Sequence, residues 1–141
     1  MNEKDPALKI INEVFFRRTT YTAGKKVKVI EPMDEYWREC TALLILAVVH
    51  YIKEHRSEDE HCYFTVLDFI NKARHMSVDE LTALFGDGII CGTSEAFKVY
   101  SDFLDKAGKT VTSVMIAAIT ELKGIYFDKQ GIAEFERVFE L

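Results

Sequence analysis

"MDEYWRECTALLILAVVHYIKEH", residues 33–55, decides the fold. From Ala42 to Val49 every position is apolar, so an α-helix drawn through it has no polar side to turn toward water. Such a helix has to be surrounded by other elements. The apolar run, even extended to Ile52, falls far short of the ~20 residues that cross a bilayer, so it reads as the axis of a helical bundle, beginning after Pro32.

Composition agrees with that frame. A chain of 141 residues fits a single domain with one core, and 48% hydrophobic content is ordinary for a globular protein. Seven Gly and two Pro leave few turns, and the many Leu, Ala, Glu and Lys favour helix over sheet. The three cysteines, Cys40, Cys62 and Cys91, form no CxxC, which points away from a disulfide framework or a zinc ribbon and toward a reducing cytoplasm. The opening "MNEKDPALK" lacks the apolar segment of a secretion signal.

The remaining chain divides into helices by apolar spacing, about seven in all. The first starts at Asp5 as N-cap with Pro6 at its first position, and buries Leu8, Ile11, Val14 and Phe15. A long polar connection, "RRTTYTAGKKVKVIEP", leads to the central helix. "TVLDFINKARH" (65–75) predicts a third helix with Val66, Leu67, Phe69 and Ile70 inward. "SVDE" (77–80) has the capping-box pattern and predicts a fourth, ending at Phe85 before the break "GDGIICGT". Helices from Ser94 to Lys106, Thr110 to Lys123 and Ile132 to Phe139 complete an all-α bundle.

Three stretches invite a chemical reading. "AGKT" (107–110) has the last residues of a phosphate loop, but the loop's first Gly would fall at Phe103 and the preceding segment has helical rather than strand spacing. Gly108 therefore reads as a break between two helices. "HYIKEHRSEDEHC" gathers His50, His55, His61 and Cys62 among acids, yet His50 and His55 are five apart and face different ways, so no metal site is expected. No carboxylate pair, Ser or Cys stands in a catalytic frame, and catalysis by this chain alone is not expected. The third stretch, "FFRRTTYTAGKKVKV", holds Arg17, Arg18, Lys25, Lys26 and Lys28 with no acid among them, interleaved with Tyr21, in a chain whose formal net charge is −5. Such a segment suits phosphate contacts with a base stacked on Tyr21, or else it is simply a solvated loop.

In their order, "PMDEYWRECTALLILAVVHYI", "FTVLDFINKAR" and "AGKTVTSVMIAAITEL" resemble the all-α domain of type IV secretion coupling proteins, the TraG/TraD group of conjugation ATPases. Trp37, Glu39, Leu44, Ile45, Ala47, Val48, Tyr51 and Ile52 match the family's Trp-acid-apolar helix, with Thr41 near a position that takes Ala in the family. Ala107, Gly108, Lys109, Thr110, Val111, Ser113, Val114 and then Ala117 match its interhelical signature. The resemblance covers about residues 2–127. It implies an insertion domain excised from a larger RecA-like, membrane-anchored hexameric ATPase, with Met1 not a natural start. ATP and Mg2+ would then belong to the parent protein and no cofactor to this domain, which would be cytoplasmic without touching the membrane.

The implied task is to receive cargo for conjugative transfer: DNA, a relaxase or relaxosome accessory proteins, or effector proteins. On that reading the five basic residues and Tyr21, with Lys109 as a further candidate, would contact the transferred strand, unless the basic loop packs on the parent ATPase domain. Alternatively Glu54, Glu58, Asp59 and Glu60 would attract basic tails, making a pure protein-docking module. A small helical regulator unrelated to the family is the remaining reading. Tyr36 and Trp37 read as a cap on the core at the start of the central helix.

Overall fold

A computed structural model describes residues 5–22, 25–30, 34–86 and 94–141, with 17–22 and 25–30 described as backbone alone. The central helix follows one helix and two strands in sequence, and its start is set by Asp34, whose carboxylate accepts the Tyr36 N–H at 2.8 Å. Around it the described chain runs α1 (Pro6–Phe16), β1 (Arg17–Thr22), β2 (Lys25–Ile30), α2 (Glu35–His55), α3 (Tyr63–Ala73), α4 (Val78–Gly86), α5 (Glu95–Ala107), α6 (Val111–Lys123) and α7 (Lys129–Glu136). Short 3-10 turns at Glu58–Glu60, Gly108–Thr110 and Arg137–Glu140 complete it. The architecture is the expected all-α bundle, and α1, α3, α5 and α6 all pack on α2.

Twelve of the 21 residues of α2 are buried, on every side of the helix. Each fully buried Leu, Ile or Val there contributes about 1.5–3 kcal/mol of transfer free energy, which offsets the cost of ordering the chain around it. The neighbours add rings: Phe85 stacks on Tyr100 at 4.3 Å, and Phe15 meets Phe135 edge-on at 5.4 Å.

Polar ties fix α2 against α5 at both ends. At its start the Tyr36 hydroxyl reaches the last carbonyls of α5, Lys106 O at 3.1 Å and Ala107 O at 3.0 Å. At its finish Glu54 accepts from Ser94 Oγ at 2.7 Å and from the Ala96 N–H at 3.0 Å, at the first turn of α5. The two helices therefore run antiparallel, with a carboxylate at the N-terminal end of the α5 dipole, where negative charge is stabilising.

Three elements depart from the sequence reading. The connection after α1 holds two antiparallel strands, pairing Arg17 with Ile30, Thr19 with Lys28 and Tyr21 with Lys26. Its Thr, Tyr, Val and Ile content favours extended backbone, and the Lys–Val alternation in "KKVKVI" is a period-two signal that the charges overshadow. The last helix starts earlier than Ile132, because Asp128 accepts the Gly131 N–H at 2.9 Å as an N-cap, and the chain from Arg137 tightens into a 3-10 turn. α3 likewise begins at Tyr63 and ends at Ala73. The expected break after Phe85 falls largely on residues 87–93, outside those described.

The capping box forms as expected: Ser77 Oγ accepts the Glu80 N–H, and Glu80 Oε1 accepts the Ser77 N–H, both at 3.1 Å. Those bonds hold the Glu80 carboxyl below its ordinary value of 4.5. A group with a depressed folded pKa stabilises the fold above its unfolded pKa and loses that contribution as pH falls through the folded value. Chemical denaturation across pH 2–7 should therefore find Glu80→Gln destabilising near neutrality and equal to the parent chain in acid. Thr41, fully buried in α2, leaves Oγ1 without a hydrogen-bond partner among the described residues. Thr41→Val keeps the shape and removes the stranded hydroxyl, so it is expected to raise unfolding free energy by about 1 kcal/mol in the same assay.

Candidate functional site

The AGKT corner is a helix junction. α5 ends at Gly108, whose backbone (φ 55°, ψ −120°) lies where a residue with a Cβ is strained. A 3-10 turn then carries Lys109 and Thr110 into α6. Thr110 Oγ1 bonds back to Ala107 O at 2.6 Å and to the Tyr36 hydroxyl at 2.9 Å, so two hydroxyls share the end of α5. Lys106 pairs with Glu39, whose carboxylate holds it above the ordinary lysine range. Burial pushes the nearby Cys40 thiol up, against the opposing Tyr36 hydrogen bond and Lys106 charge, so it stays protonated at neutral pH. The element before Gly108 is a helix, where a phosphate loop has a strand. Lys109 is exposed on the turn.

The acidic candidates separate. Glu54 is committed to the start of α5. Glu58, Asp59 and Glu60 form the 3-10 turn after α2, where Glu60 pairs with Arg56 at 3.2 Å and Asp59 accepts from Ser57. The histidines also part: His50 faces Asp5 at 3.9 Å, His55 lies over the Tyr51 ring, and His61 stacks on Phe139 while bonding Arg56 O. Among the described residues no three potential metal ligands converge. The basic candidates Arg17, Arg18, Lys25, Lys26 and Lys28, and Tyr21 with them, all fall on the paired strands β1 and β2; their side chains lie outside the described structure.

A surface feature that the sequence does not announce lies along α3. A groove of about 360 Å³ opens between the end of α2, α3 and α4, with Tyr51, Phe64, Phe69, Met76 and Leu84 as its apolar lining. Its charged lining consists of Arg56 with Glu60 and Lys72 with Asp68, the latter pair at 3.0 Å. Phe64, 52% exposed, joins the groove to an aromatic patch, meeting Tyr126 at 5.7 Å, which in turn meets the 93% exposed Phe127 at 4.9 Å. Beneath it Tyr63 is fully buried, donates to Leu122 O, and has its phenol pushed up to about 12 by burial and by Tyr126. Phe64 follows Tyr63 directly on α3, and this one-residue offset turns its ring outward, which apolar spacing alone does not reveal.

Comparison with protein-family models, with curated proteins and with solved structures returns no match. No helix among the described residues is long and apolar enough to cross a membrane.

Tyr36→Phe removes the hydroxyl from the Lys106 and Ala107 carbonyls and from Thr110 at the AGKT corner. It is expected to cost about 1–2 kcal/mol and to speed amide exchange at the end of α5 and in residues 108–110, while α3 and α4 keep their protection. Exchange unchanged at that corner would show that Thr110 alone holds it.

Proposed function

We propose that this chain is a cargo-receiving domain of a type IV secretion coupling ATPase of the TraG/TraD kind, cytoplasmic, and in contact with the DNA being transferred. The sequence resemblance over about residues 2–127 is what supports the family reading. The observation that carries the nucleic-acid role is charge segregation. Five of the 18 basic residues and none of the 23 acidic ones lie between 17 and 30, which leaves 13 basic and 23 acidic residues elsewhere. A remainder with formal charge −10 disfavours phosphates on average, which supports the β1–β2 hairpin, where Tyr21 is paired in register with Lys26, as the main contact for a strand. On this reading ATP and Mg2+ are handled by the parent ATPase, and Lys109, exposed at the AGKT corner, is a second contact for the strand. Relaxase or relaxosome proteins are the protein partners.

A docking role alongside this one is favoured by the exposed Phe64–Tyr126–Phe127 patch, since protein surfaces seldom leave three touching rings in water without a use.

Titration of labelled single-stranded DNA at two salt concentrations tests the proposal. The native chain should bind, with log K falling steeply as salt rises. Replacing Arg17, Arg18, Lys25, Lys26 and Lys28 with Ala should abolish binding at moderate salt and flatten the slope by about 0.7 for each phosphate no longer neutralised. Equal affinity and slope in the variant would overturn the assignment to the hairpin, and no binding by the native chain at low salt would overturn DNA contact itself.

A further inference from the structure

We propose that one face of the β1–β2 hairpin, the one holding Tyr21, Lys26, Lys28 and Arg17, reads single-stranded DNA, and that Arg18 and Lys25 on the other face take no part in the contact. That the ligand is DNA rests on the reading above; the division into faces rests on strand register. Residues directly opposite in an antiparallel pair share a face, and successive residues alternate between faces. The pairing of Arg17 with Ile30, Thr19 with Lys28 and Tyr21 with Lys26 places these six positions on one side of the ribbon. Arg18 with Val29, Thr20 with Val27 and Thr22 with Lys25 fall on the other. Among the described residues the strands pack mainly on each other and on α1.

Spacing separates the two faces more than the number of cations does. On the first, Lys26 and Lys28 are two residues apart along β2, about 7 Å, and Arg17 is diagonal to Lys28 at about 7–8 Å. Tyr21 is directly opposite Lys26, about 5 Å away between Cβ positions. A ring and three cations therefore follow one another in short steps. A flexible strand engages such a row with a base on the ring and successive phosphates on the cations. On the second face the Thr20–Val27 pair stands between Lys25 and Arg18, and Lys25 is four residues, or about 13 Å, from the position opposite Arg18. No aromatic residue falls on that face. A duplex keeps its bases stacked inside, so stacking on Tyr21 selects an unpaired strand, whereas the cations alone attract both forms.

The test uses the whole chain with a fluorescent oligothymidine of about 16 nucleotides, an abasic oligomer of the same length and a duplex of that length. Binding is read by anisotropy at two salt concentrations, and amide exchange in β1 and β2 checks that each variant keeps the ribbon. Two double variants remove equal charge: Lys26→Gln with Lys28→Gln, and Arg18→Gln with Lys25→Gln. The first should weaken oligothymidine binding at least about tenfold and lower the salt slope by about 1.4, the share of two phosphates. The second should lose about two- to threefold, through long-range attraction alone, with a slope change less than half as large. Tyr21→Leu, which changes no charge, should weaken oligothymidine at least about fivefold and leave the salt slope and the abasic and duplex affinities at native values. Tyr21→Phe should restore the loss. Equal losses in the two double variants would mean attraction to the total charge of the hairpin, and a larger loss in the Arg18 and Lys25 variant would mean the opposite face. Either result overturns the face assignment and leaves DNA contact by the hairpin standing. A Tyr21→Leu chain that binds oligothymidine as the native one does, or that loses all three probes alike, overturns single-strand reading by the ring. No binding by the native chain at low salt removes DNA contact itself, and this inference with it.

Discussion

The bundle depends on the antiparallel pairing of α2 with α5. A helix buried on all sides has no surface of its own to settle against water, so its position is set by what clamps its ends. Tyr36 and Glu54 supply those clamps, one on the carbonyl end of α5 and one on its amide end. Between them Glu39 pairs with Lys106. Once α5 is aligned this way, its C-terminal stop at Gly108 directs α6 back along α2, and the junction becomes part of the same clamp.

How much of this is legible in the sequence follows from the range of each interaction. The all-α class, the buried central helix, the Ser77–Glu80 capping box and the break at Gly108 are local signals, contained within a few turns of chain. The partners of Tyr36 lie some 70 residues away and those of Glu54 some 40, and nothing local announces them. In sequence Glu54 groups with the acidic turn that follows it, although its carboxylate caps another helix. The hairpin is written in alternating residues, but its density of charge gives it the look of a polar connection. The groove is not legible because its lining comes from α2, α3 and α4 together, which only the assembled bundle brings side by side.

The division of charge gives the molecule two unlike surfaces. A hairpin rich in cations extends an acidic helical body, and the groove lies on that body between α2, α3 and α4. An uneven division of charge of this kind is felt by charged molecules at distances up to roughly a Debye length.

Trp37, the single tryptophan of the chain, meets the Tyr36 ring edge-on at 5.6 Å, one residue along the helix from the hydroxyl that closes the AGKT corner. Its emission therefore senses the start of α2, beside that junction, without labelling. Loosening of that corner by denaturant would register as a change in intensity and wavelength, giving the chain an intrinsic optical gauge of the contact that aligns its two principal helices.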